Sequence, residues 1–291
     1  MSGRCKNGLG AAIILMSLIG PARGGAAEAF SFVQLCDPQL GIGGYEHDLD
    51  SFRKAVAQIN LLKPDLVIVC GDLVHRGHDN QRFEDFLAVK TRLTMPCYLA
   101  PGNHDIGNYP NHETLANYRK RVGKDYYAFQ HKGHTFIIVN TQLWKHPLAG
   151  ESEAQDQWFR ETLRDTAARK SPVIVAGHLP LYTLDPEEPQ TIHNIPPKRR
   201  TGLLDLLTEH RVVAVLSGHV HANIVHDHAG IQLITTASTS WNLGNTPLGF
   251  RLWRVETERP WAHQYVEVEG VTAPVEPNGA ALKDLLQQLM N

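Results

Sequence analysis

A layered α/β protein with mixed β-sheets is what this sequence predicts, and three observations predict it. Short β-branched runs alternate with longer amphipathic ones from about Phe30 onward. After the run "VVAVLSG" the pattern changes to strands joined by turns. Five apolar runs also end in polar blocks, four of them opening on Gly, at the strand edge where α/β sheets bind ligands.

The elements follow in order. Arg4 and Lys6 precede the apolar run "LGAAIILMSLIG", and small residues follow in "PARGGAAEA", so residues 1–29 read as a secretory signal. Ala27 and Ala29 suit an A-x-A cleavage site, with cleavage near Gly25 or Ala26 as an alternative. The apolar run is short for a membrane span; an uncleaved anchor is the other reading, and no later segment could span a bilayer. The expectation is an exported protein, periplasmic or secreted, with one domain over 30–270 and an extension over 271–291.

"FSFVQLC" predicts the first strand, then a helix from Asp48 to Leu62 that Lys63-Pro64 closes. "DLVIVC" is a strand, Asn80 to Leu93 a helix and "PCYLA" a strand. "YYAFQ" and "HTFIIVN" flank "HKG" as a hairpin. A helix over Ala154–Arg169, the strand "PVIVAG", a helix over Leu203–His210 and the strand "VVAVLSG" complete the alternation. "ANIVHDH", "IQLITTAS", "GFRLWRVE" and "AHQYVEVE" are the final strands, with "HAG" as a turn, and "GAALKDLLQQLMN" ends the chain as a short amphipathic helix. The Pro-rich, charged segment "TLDPEEPQTIHNIPPKRR" is long for a connection and predicts a lid.

The chain has 291 residues, a formal net charge of -2 and 42% hydrophobic residues, enough to bury a large core. That balance gives no reason to expect nucleic-acid or anionic-membrane partners. The 16 histidines against 4 cysteines point to imidazole, carboxylate and amide ligands rather than thiolates. Once Cys5 leaves with the signal, Cys36, Cys70 and Cys97 read as small buried hydrophobes, with a Cys36–Cys70 bridge as the lesser alternative.

The strand ends carry the chemistry. "VQLC" runs into Asp37, "LVIVC" into Gly71-Asp72, and "CYLAP" into Gly102-Asn103-His104-Asp105. "VIVA" runs into Gly177-His178, and "AVLS" into Gly218-His219-Val220-His221. Singly, each block reads as turn or cap chemistry. Together they supply carboxylates, neutral oxygens and imidazoles, the donors that a pair of divalent ions requires.

In this order, "DPQ", "GDLVHRG", "GNHD", "GHLP" and "GHVH" resemble the five blocks of the calcineurin-like metallophosphoesterases, over Phe30 to about Glu267. The overall spacing resembles the branch containing a human calcineurin-like phosphoesterase-domain protein. The resemblance implies a four-layer sandwich of two mixed β-sheets flanked by α-helices. It also implies two divalent ions (Mn, Fe or Zn) and hydrolysis of phosphate esters by attack of a metal-bound hydroxide. Asp72 would bridge both ions. Asp37 and His221, joined by Gln39 if it ligates, would hold one; Asn103, His178 and His219 would hold the other. His104 would act on the substrate phosphate or leaving oxygen, with Asp105 orienting its ring.

Substrates on this reading are phosphorylated small molecules, nucleotides or phosphoproteins, with a phosphomonoesterase favoured. A phosphodiesterase or nucleotide pyrophosphatase is the alternative enzyme, and a non-catalytic metal- or phosphate-binding protein the alternative class. Two departures from the family pattern stand out. Gln39 occupies a place where many relatives have His, so it either ligates as a neutral oxygen or binds metal water. His75 stands where phosphoprotein phosphatases have an Asp and purple acid phosphatases a Tyr. Arg76, Arg199 and Arg200 are the candidate phosphate contacts, but a solvated face is the leading reading for the lid pair and an equal one for Arg76. Tyr45 and Trp241 read first as core or rim packing, with aromatic stacking as the alternative.

Overall fold

The computed structural model describes residues 28–256 and 261–272. The predicted signal core and the terminal helix both lie outside them. Among the described residues no helix is long and apolar enough to cross a membrane.

The chain runs β1 (Phe30–Leu35), α1 (Tyr45–Leu62), β2 (Leu66–Cys70), α2 (Asn80–Lys90), β3 (Cys97–Ala100), α3 (Asn103–Ile106) and α4 (His112–Arg121). It continues through β4 (Tyr127–His131), β5 (His134–Ile138), α5 (Thr141–Lys145), α6 (Glu151–Arg169), β6 (Val173–Ala176) and α7 (Pro197–Glu209). The strands β7 (Val212–Ser217), β8 (Ile224–His228), β9 (Ile231–Thr235), β10 (Gly249–Val255) and β11 (Ala262–Glu267) follow.

The strands form two mixed sheets, ordered β11-β10-β1-β2-β3 and β4-β5-β6-β7-β9-β8. In the first, β1, β2 and β3 are parallel, while β10 pairs antiparallel with both β1 and β11. In the second, β5, β6, β7 and β9 are parallel, with antiparallel hairpin strands β4 and β8 at the edges.

Strand alternation explains the four layers. In β2, Val67 and Val69 join the cluster containing Phe52 and Phe86 of α1 and α2, while Leu66, Ile68 and Cys70 face the other sheet. Phe32, Phe136, Ile174 and Trp253 fill the space between the sheets. Phe159 and Leu163 of α6 and Leu203 of α7 cover the second sheet's outer face. Gln34 is buried within this apolar middle but satisfied: it donates to the Ser217 and Ile234 carbonyls at 2.9 and 3.0 Å and accepts from the Trp253 indole at 3.1 Å. It ties β1 to the opposite sheet.

Three helices begin earlier than the sequence reading places them. Tyr45 opens α1 because Asp48 does not cap it; its carboxylate accepts from the Gly41 and Gly43 amides instead. Glu153 reaches back to the Gly150 amide at 2.7 Å, so α6 begins at Glu151. Pro197 supplies the first turn of α7, which absorbs the last residues assigned to the lid. The helix α2 ends at Lys90, short of Leu93. The short helices α3, α4 and α5 were not predicted; Asn111 and Asn140 cap α4 and α5 by accepting from the Thr114 and Gln142 amides. Cys36, just past β1, and Cys70, the last residue of β2, are buried free thiols, whereas Cys97 is half-buried.

Candidate metal centre

The five strand-end blocks meet over the seam between the sheets. Asp37, Gln39, Asp72 and Asn103 come from the first sheet, and His178, His219 and His221 from the second. All but His219 are buried. Asp37, Gln39, Asp72, His219 and His221 hold left-handed backbone conformations, with φ of 49°, 35°, 50°, 70° and 55°. Each left-handed non-glycine residue costs about 1–2 kcal/mol, and such strain persists only where the surroundings enforce it.

Close backbone approach makes room for the carboxylates. A Cβ on Gly102 would stand 2.0 Å from Asp72 Oδ1, and one on Gly218 would stand 2.4 Å from Asp37 Oδ2. The His104 amide donates to Asp72 Oδ1 at 2.9 Å, and the His219 amide to Asp37 Oδ2 at 3.0 Å.

His178 Nε2 lies 3.0 Å from Asn103 Oδ1, 3.2 Å from Asp72 Oδ2 and 3.1 Å from His219 Nδ1. Ligand atoms of Asp72, His178 and His219 fall within 4.8 Å of one another. On the Asp37 side, His221 Nε2 is 3.7 Å from Asp37 Oδ1. Each histidine offers its other nitrogen to a backbone carbonyl: His178 Nδ1 to Cys70 at 2.7 Å, His219 Nε2 to Ile192 at 3.0 Å, and His221 Nδ1 to Trp241. A carbonyl on one ring nitrogen fixes the tautomer that leaves the other for a metal.

The electrostatics suit a cation. Burial lowers the basicity of His178, but Asp72 and Asp37 outweigh it and lift the ring to about 10. Burial opposes ionisation of Asp72, yet His178 and then His104 hold it below the ordinary carboxylate range. Burial, with the charge of Asp72 adding to it, raises Asp37 despite His178. The charges that hold a proton on His178 also attract a divalent ion, which would compete for that nitrogen. Gln39 is fully buried, and neither its amide oxygen nor its nitrogen has a protein hydrogen-bond partner. A buried amide without a partner, on a residue whose backbone amide donates to the Asp72 carbonyl at 2.8 Å, fits a metal or its water. The residues present fit divalent ions.

His104 lies beside this cluster and lines a cleft of about 440 Å³ with Arg76, Asn108 and Glu113. Its Nδ1 pairs with the His75 carbonyl at 2.8 Å, and the two imidazoles stack at 4.9 Å. Asp105 departs from its expected role. Its carboxylate accepts from the Leu73, Val74 and Gly102 amides, so it braces the loop carrying Asp72 and does not orient the His104 ring.

The two lid arginines also depart from expectation. Arg199 pairs with Asp156 and lies over Trp144, while Arg200 is buried with its guanidinium on the Pro186, Glu188 and Ile195 carbonyls. Neither is among the residues lining the cleft with His104. Tyr45 donates to Asp85 at 2.5 Å, away from the centre, and Trp241 serves His221 through its carbonyl. The sequence reading missed Lys145, buried with its ammonium on the Thr191 and Ile192 carbonyls. It also missed Ser238 and Ser240, whose hydroxyls donate to the Asp37 carbonyl.

A two-sheet sandwich with this donor set over its seam defines a metal-dependent phosphoesterase, a hydrolase. Residues 30–223 match the family described as calcineurin-like phosphoesterase. The chain belongs to that family. It is 30% identical over 265 residues to the serine/threonine-protein phosphatase CPPED1 of Homo sapiens, covering 82% of this chain and 84% of that one. It is 29% identical over 198 residues to a probable glycerophosphodiester phosphodiesterase GpdQ of Arcobacter nitrofigilis, covering 64% of this chain and 67% of that one. The fold superposes on a dimetal phosphatase from Danio rerio with a TM-score of 0.65 at 16% identity, covering 82% of this chain and 97% of that one.

Proposed function

We propose that this chain is a dinuclear phosphomonoesterase. The observation that carries the reading is the set of three carbonyl-oriented histidines facing two buried carboxylates. Asp72, with two carboxylate oxygens, would be shared by two divalent ions; Asp37, His221 and Gln39 would hold one of them, and Asn103, His178 and His219 the other. When bound, such ions supply positive charge for the phosphate and lower the pKa of a bound water from 15.7 to about 7.

The chain's own residues do the rest. Asp105 keeps Asp72 in place through the Leu73 and Val74 amides. The His75 carbonyl occupies His104 Nδ1, leaving Nε2 for the reacting phosphate. A protonated His104 gives its Nε2 proton to the departing ester oxygen, a contribution of about 10²–10⁴-fold. Arg76 lines the same cleft and would meet a phosphate oxygen there.

The similarity to a serine/threonine-protein phosphatase supports a monoester substrate, small molecule, nucleotide or phosphoprotein. The similarity to a probable glycerophosphodiester phosphodiesterase favours a diester as the second reading. The test is hydrolysis of a chromogenic monoester, the matching diester and ADP-ribose by protein loaded with Mn²⁺, Zn²⁺ or Fe²⁺. The monoester should turn over fastest, and His104→Ala should keep both ions and lose about 10²–10⁴-fold in turnover. A protein that binds two ions yet hydrolyses none of the three is not an enzyme of this class.

The basic-apolar-small order of residues 1–29 supports action after export, with the catalytic domain over 30–270 and the remainder an extension. Purified native protein that still begins at Met1 would refute cleavage.

A further inference from the structure

The helix α5, "TQLWK", contains none of the proposed ligands, yet it is buried from Thr141 to Lys145. Its neighbours fix its seat. The Asn140 side chain caps it, and Gln155 of α6 accepts from the Asn140 amide at 2.8 Å. Ser152 donates to the Leu143 carbonyl at 3.0 Å, and the Trp144 indole donates to Asp156 at 3.2 Å. Both partners belong to α6, so the short helix rests on a long one.

Three polar side chains of this helix end on the loops that carry one half of the centre. Thr141 Oγ1 accepts from the His178 amide at 3.2 Å and the Leu179 amide at 2.9 Å. The approach is close enough to need a glycine: a Cβ on Gly177 would stand 2.5 Å from Thr141 Cγ2. Gln142 Nε2 donates to the Asn108 carbonyl at 3.1 Å, and Asn108 Oδ1 accepts from Asn103 Nδ2 at 2.9 Å. With its nitrogen taken, the Asn103 amide turns its oxygen to His178 Nε2, 3.0 Å away. Lys145, one turn after Thr141, donates to the Thr191 and Ile192 carbonyls. The Ile192 carbonyl also accepts from His219 Nε2 at 3.0 Å, which leaves His219 Nδ1 facing His178 Nε2. The other half is held differently. Ser238 and Ser240 donate to the Asp37 carbonyl, and the Trp241 carbonyl takes His221 Nδ1.

We propose that α5 positions the ligands of one ion alone. Thr141 acts through the backbone of His178, Gln142 through Asn108 on Asn103, and Lys145 through Ile192 on His219. A buried amide or carbonyl that loses its partner is costly, so an apolar residue at these places shifts the loop it held. The inference rests on the ligand assignment of the phosphoesterase reading, but it adds three positioning residues that lie outside all five blocks.

The experiment isolates each ion in turn. Mn²⁺ is titrated calorimetrically into His221→Ala, which keeps the ion supported by α5, and into His219→Ala, which keeps the other. Each is then combined with Lys145→Met or Thr141→Val, and thermal melts show which proteins fold. On the His221→Ala background both substitutions should weaken Mn²⁺ binding by roughly 10–100-fold. On the His219→Ala background the affinity should stay within about twofold, as for independent sites. Thr141→Ser keeps the hydroxyl and should recover most of the loss. Thr141→Val is nearly isosteric and carries the comparison alone if Lys145→Met does not fold. Unchanged affinity on the His221→Ala background overturns the proposal. So does an equal loss on both backgrounds, which would make α5 a general prop of the fold. Two ions bound by either single variant would overturn the ligand assignment and this inference with it. A wild type that binds two ions without turnover would overturn the hydrolase reading alone, because the comparison reads metal binding.

Discussion

Gly102 offers the sharpest test of the centre because its substitution perturbs a carboxylate without touching it chemically. Its φ of -108° suits any residue, so Gly102→Ala introduces no backbone strain. The added Cβ would lie 2.0 Å from Asp72 Oδ1 and 2.2 Å from the Asp72 amide, where ordinary contact begins at 3.4 Å. Asp72 or the Gly102 backbone must move by roughly 1.4 Å, and the core cannot absorb that freely. Overpacking costs about 1–3 kcal/mol. Weakening the 2.9 Å bond from the His104 amide adds to it, so about 2–3 kcal/mol is expected. For a domain of this size that lowers Tm by roughly 4–12 °C. Displacing a carboxylate proposed to serve two ions should weaken metal binding by at least about 10–100-fold. The assay is metal content by mass spectrometry after dialysis against limiting Mn²⁺, with thermal melts of the same samples. Gly202→Ala is the control: it lies in α7 with nothing within 4 Å of an added Cβ, so metal content should not change. A Gly102→Ala protein that retains two tightly held ions and full turnover would falsify the placement of Asp72 at the heart of the centre.

The two lid arginines should behave oppositely. Arg200→Met leaves the Pro186, Glu188 and Ile195 carbonyls unpaired, so turnover should fall and residues 183–196 should become protease-sensitive with metals retained. Arg199→Ala removes a partly exposed pair with Asp156 and a contact over the Trp144 ring, each worth about 1 kcal/mol or less, and turnover should stay within twofold. The same loop should be acid-sensitive. Burial raises Glu188, but hydrogen bonds from Asn194, Thr183 and Leu184 outweigh it and hold the carboxyl at about 2. A folded-state value below the usual 4.5 means stabilisation that is present above 4.5 and lost as pH falls toward about 2. Pepsin cleavage within 183–196 should therefore rise as pH drops through that window, and Glu188→Gln should flatten the dependence. At the centre, Gln39→His should shift metal preference from Mn²⁺ toward Zn²⁺ with the fold intact, read by competitive loading; an unchanged ratio would place Gln39 outside the ligand set.

Much of the centre could be read from the chain because its donors follow buried strands. "LVIVC" and "VIVA" are apolar on both faces, so the Gly-Asp and Gly-His after them had to emerge at a sheet edge. The partners of those side chains were not legible. Asp105 looked like a companion of His104 by adjacency, yet its oxygens go to amides 32 and 31 residues earlier, at Leu73 and Val74. The His104 ring is held by a main-chain carbonyl, which every residue type offers at position 75. Arg200 read as a surface charge because its acceptors are also carbonyls, brought near only when α7 begins at Pro197. Side-chain identity marks what meets a ligand; it says little about which backbone group will hold that side chain still.

The sheet that carries Asp37 and Asp72 is closed by the last part of the chain. β1 pairs with β2 some 34 residues onward, but its other neighbour, β10, begins at Gly249. A ribosome releasing this chain from its N-terminus therefore exposes β1 as an unpaired edge until nearly the whole domain has been made. Such distant pairing is slow, because the intervening chain must be gathered before any of its contacts form. If the centre needs both neighbours of β1 in place, its ions should be taken up late in maturation, which metal content of chains truncated before and after β10 would test. A chain cut short before Gly249 would hold all five blocks and still lack the neighbouring strand that keeps Asp37 in its place.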